Sequence, residues 1–150
     1  WQSLFGVSGQ SKSITRFRSD FKETSNMFFY SSTLKMLNSE NLPEVTDILK
    51  DIEEIRVLNY SKTSASFSKN DIAALKKSLV DEEYQMIMMI NEKDNVVNLY
   101  NREKKGKTVG FVALIENQES LVLVDLKGSI DVKKFMALKE KIDLRVKNAS

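Results

Sequence analysis

YQMIMMINEKDNVVNLYNREKKGKTVGFVALIENQESLVLVDLKG, residues 84–128, decides the fold of this chain. Four apolar runs alternate with three short polar breaks. The runs are Tyr84 to Ile90, Val96 to Tyr100, Val109 to Ile115 and Leu121 to Leu126. The breaks are Asp94–Asn95, the stretch Lys104 to Lys107 around Gly106, and Asn117–Gln118. Such residues punctuate strands because they turn the chain cheaply. Turns this short leave no room for a crossover, so consecutive strands run antiparallel. The stretch reads as a four-stranded meander that ends at Gly128. Tyr84 to Ile90 is apolar at successive positions, which predicts a central strand covered on both faces. Its Met86, Met88 and Met89 are read as core filling, the other reading being an adaptable apolar surface.

Outward from the meander, helical spacing takes over. Asp131 is placed to cap a last helix carrying Val132, Phe135, Met136 and Ile142. Upstream, Ser68 and Asp71 form a capping-box start, with Ile72, Leu75 and Leu79 as the buried stripe. Ile55 to Tyr60 has strand composition. Pro43 suits the first turn of a helix bearing Val45, Ile48, Leu49 and Ile52, and Glu44 and Asp47 suit the positive end of its dipole. Leu34 and Leu37 suggest a helical turn after a short strand, Met27 to Tyr30. A first helix is predicted after Ser13, read as its N-cap, with Ile14, Phe17 and Phe21 on one face. Residues 1–13, Trp1 included, are expected to form a loose tail, and 14–147 a single domain. One Pro, five Gly and no repeat leave no linker to divide it. The predicted class is α+β: a two-layer domain, a mixed sheet containing the C-terminal meander, and helices on one face.

Composition narrows the chemistry. A chain of 150 residues buries roughly 70% of its unfolded surface and needs no cross-links. It has no Cys and no His, which removes thiolate sites and the imidazole that most hydrolases use as base. No catalytic residue, metal ligand or cofactor site is predicted. Basic and acidic residues number 23 and 21, too balanced to point to nucleic acid. No apolar run approaches the ~20 residues of a membrane-spanning helix. The opening at Trp1 resembles a chain whose leader has been removed.

The remaining candidates each have a plain alternative. Gly106–Lys107–Thr108 imitates the end of a phosphate loop, but Asn101 stands where that loop needs Gly, and a hairpin turn explains it. Glu82 and Glu83, after Asp81, are adjacent carboxylates of the kind that share acid and base roles in a hydrolase or lyase. A solvated connection between helix and strand is the simpler reading. The acidic residues from Glu40 to Glu54 fit a solvated helix face better than a calcium loop. Arg102, Lys104, Lys105 and Lys107 gather at one hairpin tip and are the candidate ligand-binding residues, for a phosphate, an acidic glycan or an acidic protein surface. Charges that blunt an exposed hairpin are the alternative. Asn59–Tyr60–Ser61 and Asn148–Ala149–Ser150 match glycosylation acceptors.

Three stretches carry a family resemblance. They are Leu42 to Leu58, Ile87 to Tyr100 with its turn Asn91–Glu92–Lys93–Asp94, and Phe111 to Asp131. In order and spacing they resemble the domain of unknown function 4252 family, small exported proteins of Bacteroides and relatives, many of them lipoproteins. The likeness runs from about Ile14 to Ile142. It implies the cell envelope, periplasmic or outer-membrane-associated, with any lipid anchor on a Cys upstream. It supplies no catalytic residues. The expected function is a non-enzymatic envelope domain contacting a protein or ligand. A carboxylate-dependent hydrolase or lyase, and a binder of anionic ligands at the basic tip, are the alternatives.

Overall fold

The computed structural model describes residues 10–37, 43–64, 66–137 and 140. The first helix, α1 (Lys12–Asp20), begins two residues earlier than Ser13 suggests. Its N-cap is Ser11, whose Oγ accepts from the Ile14 N–H. Residues 10–13 are thus not tail: Gln10, Ser11 and Ser13 are buried. Residues 1–9, with Trp1, lie outside the described residues. After α1 come β1 (Ser25–Tyr30), α2 (Ser31–Leu37), α3 (Pro43–Leu49) and β2 (Ile52–Ser61). Then follow α4 (Lys69–Asp81), β3 (Tyr84–Glu92), β4 (Asn95–Lys104), β5 (Lys107–Glu116) and β6 (Ser120–Gly128). A last helix, α5, is described over 132–137. Two of the three predicted caps form, Ser13 being the exception: Ser68 and Asp71 close a reciprocal capping box on α4, and the Asp131 carboxylate accepts from the Lys134 N–H.

The six strands make one sheet in the order β1-β2-β6-β5-β4-β3. The α+β class and the meander β3-β4-β5-β6 are as expected. The two halves join where β2 pairs with β6. Every pairing is antiparallel, so the expected mixed sheet is not found. Helices also pack on both faces instead of one. Residues paired across the register share a face. Met86, Tyr100, Val112, Asp125, Arg56 and Phe28 make one such row. Leu58, Tyr60, Leu114, Leu121 and Leu123 share that face and form a core with Ile14 and Phe17 of α1 and Ile72, Leu75 and Leu79 of α4. The opposite face carries Ile55, Val97, Leu99, Phe111, Ala113 and Leu126, covered by Ile48 and Leu49 of α3, Ile130, and Phe135 of α5. At about 25 cal/mol per Å² of apolar surface, these two cores supply most of the folding drive.

β3 is the largest departure from expectation. It is an edge strand, not a central one. Met86, Ile87, Met88 and Met89 are 43, 38, 41 and 55% exposed, so the methionines do not fill the core.

Candidate functional site

Where α1 meets the sheet, the face carries a charged centre. Arg56 on β2 and Asp125 on β6 are register partners, and Nη2 of Arg56 lies 2.6 Å from the Asp125 carboxylate. Both side chains are buried. The Ser11 N–H donates to both Asp125 oxygens, at 3.1 and 3.3 Å. Arg56 Nη2 also donates to Thr15 Oγ1 at 3.0 Å. Burial pushes the Asp125 carboxyl up to about 6, against the opposing pull of Arg56 and the Ser11 N–H. Burial, with Asp125 and Glu82 close by, raises the Tyr84 phenol well above its ordinary value. The Tyr84 hydroxyl, both amide atoms of Asn98, and Nε of Arg56 and of Arg102 are buried with no hydrogen-bond partner among the described residues.

Glu82 completes the arrangement. Placed at the C-cap of α4, it accepts from Ser11 Oγ at 2.8 Å, the Lys12 N–H at 2.7 Å and the Ser13 N–H at 3.0 Å. Its charge sits on the free N–H groups of the first turn of α1, where the helix dipole favours an anion. Glu82 is therefore not part of a solvated connection. Glu83 is exposed in a left-handed backbone conformation (φ 74°) and does not converge with it. The two carboxylates do not form an acid–base pair. Asp125 and Glu82 together grip the start of α1.

Sequence reading missed this centre. The available signal was alternation: Arg56 falls on the same strand face as Leu58 and Tyr60, and Asp125 on that of Leu121 and Leu123. A charge at an inward position in each of two strands calls for a mutual partner.

The basic hairpin tip is only partly convergent. Arg102 and Lys104 line a depression of about 370 Å³ with Lys127, Thr108 and the acidic Asp51 and Glu53. Lys105 and Lys107 are exposed at the turn and do not line it. Lys127 Nζ lies 3.9 Å from Glu53, so the depression carries both signs of charge. Asn59 of the first acceptor tripeptide donates to Ser25 Oγ on β1 while Tyr60 is buried in the core. Asn148 lies outside the described residues.

A second hollow lies on the opposite face. A groove of about 440 Å³ crosses the sheet from Met27 and Phe29 of β1 to Ile90 of β3. Val57, Val97, Ile115, Val122 and Val124 also line it, and Phe135 and Met136 of α5 form one side. Its polar lining is Asn59, Glu92 and Asn95, so Glu92 is its only charged group among the described residues. Among those residues no group of three or more carboxylates is arranged to hold a metal ion, and no helix is long and apolar enough to cross a membrane.

Neither the curated proteins nor the solved structures contain a match to this chain. The family model described as Domain of unknown function (DUF4252) matches residues 12–138, from the first residue of α1 to one residue past the stretch of α5 described over 132–137. The match spans the whole sheet and both cores, and the chain therefore belongs to the DUF4252 family.

Proposed function

We propose that this chain is a non-enzymatic binding domain of the cell envelope that holds a small, uncharged apolar molecule in the groove opposite α1 and α4. The observation that carries the reading is the groove itself, about 440 Å³ and apolar across the sheet. Hollows of this size and lining suit small-molecule ligands. No cation lines it to receive a carboxylate or phosphate among the described residues, which favours a neutral ligand. The buried carboxylate Asp125 is committed to Arg56 and Ser11, and Glu82 to α1, which leaves neither free for bond-making. The envelope location rests on the likeness to small exported proteins.

Titration with the neutral fluorophore N-phenyl-1-naphthylamine tests the groove. Saturable fluorescence enhancement is expected, and Val124→Phe, which fills the floor with another apolar side chain, abolishes it without lowering Tm. Enhancement that does not saturate, or that is unchanged by Val124→Phe, overturns the reading. Fractionation of the cells that make the protein tests the location, and recovery from the cytosol refutes it.

A further inference from the structure

The shape of the apolar groove and the chemistry of its two ends narrow the ligand it can take. The lining runs from β1 through β2, β6, β5 and β4 to β3. Strands in a sheet stand about 4.8 Å apart, so the groove is roughly 24 Å long. Spread over that length, a volume of about 440 Å³ leaves a mean section of only about 18 Å². A channel this long and thin matches one extended hydrocarbon chain better than a compact ring.

The ends differ in polarity. At the β1 end the lining is Met27 and Phe29. At the β3 end stand Glu92 and Asn95, register partners across the β3–β4 hairpin, both exposed. Asn59 lies on β2, away from this end, and its Nδ2 is taken by Ser25 Oγ. Asn95 Oδ1 accepts from Asn117 Nδ2 at 3.4 Å, which leaves Asn95 Nδ2 as a donor. The Glu92 carboxylate has neither an ion pair nor a side-chain hydrogen bond among the described residues, which leaves it as an acceptor. A hydroxyl suits both neighbours, because it donates and accepts. A carboxylate brings no donor for Glu92 and repels it, and an ammonium brings no acceptor for Asn95.

We infer that the groove holds a long-chain aliphatic alcohol, its unbranched chain laid across the sheet and its hydroxyl set between Glu92 and Asn95, and that it discriminates against the corresponding fatty acid. The inference rests on the groove reading above and adds to it the shape and head group of the ligand.

Displacement of N-phenyl-1-naphthylamine from the full chain, at pH 8 and low salt, tests it. Dodecanol should displace the fluorophore, and affinity should rise about fourfold per methylene from octanol to dodecanol. Cyclododecanol, the same carbons closed into a ring, should displace it more weakly. Dodecanoate should bind at least about fivefold more weakly than dodecanol, because its charge faces Glu92. Glu92→Gln, a change at an exposed position, should recover that loss for dodecanoate and leave dodecanol unchanged. Cyclododecanol equal to dodecanol, dodecanoate as tight as dodecanol, or dodecanoate indifferent to Glu92→Gln each overturns the inference, while saturable fluorophore binding sensitive to Val124→Phe still upholds the groove. Absence of fluorophore binding removes both.

Discussion

At the scale of single residues, Asp125 and Gly128 carry the sharpest consequences. The Asp125 carboxyl titrates in the folded chain at about 6, above the roughly 3.9 of an unfolded chain. A raised folded value means that protonation favours folding. The stability it contributes is complete below about pH 4 and is lost as the pH rises through about 6, on the order of 2–3 kcal/mol. Thermal melts of the chain and of Asp125→Asn across this range isolate the effect. The native chain should lose stability relative to the variant as pH rises, and a constant gap contradicts the assignment. Gly128 has φ +127°, and an added Cβ would meet the backbone carbonyl of Asp51. Gly128→Ala should therefore cost at least about 2 kcal/mol, read as a lower denaturant midpoint with an unchanged m-value. The need for Gly there was visible in the sequence as a strand end. The Arg56–Asp125 pair was not, because a charge inside a strand shows its partner only once β2 and β6 are known to adjoin.

At the scale of elements, α1 is held by carboxylates as well as by packing. Ile14 and Phe17 sit in the core, while Glu82 and Asp125 bind its first turn. Glu82→Ala removes an acceptor from three donors and should cost about 2–3 kcal/mol. Hydrogen exchange distinguishes local from global loss: amides of Ile14 to Asp20 should exchange faster while those of β5 and β6 keep their protection. Uniform acceleration across the sheet contradicts a local role. Most elements were legible because their signals are local: alternating apolar runs, the capping box at Ser68, the turn at Gly106. The position of β3 was not. Apolar residues at successive positions predict cover on both faces, whereas Met86 to Met89 stay exposed at the sheet edge, a placement set by strand order and not by local pattern. The N-cap moved from Ser13 to Ser11 because Asp125 and Glu82, distant in sequence, hold the earlier turn.

At the scale of the whole molecule, a single sheet separates two cores, and β6 pairs between the two halves of the chain. Leu123, fully buried on β6, faces α1 and α4 with Leu58 and Leu114. Leu123→Asp sets an unpaired charge there and should cost more than about 4 kcal/mol, losing the cooperative melt altogether. A variant that melts like the parent contradicts the burial of this face. The groove was illegible in the sequence because its lining comes from all six strands and α5, and its shape exists only once they are ordered. The grip on α1 has a mechanical consequence. Tension applied at Gln10 meets its bond to Glu54 and the Asp125 and Glu82 contacts at Ser11 to Ser13 before any strand pair. Those contacts act as a shear pin: α1 peels away first, followed by the outer strand β1, while the ladders from β2 to β3 stay closed.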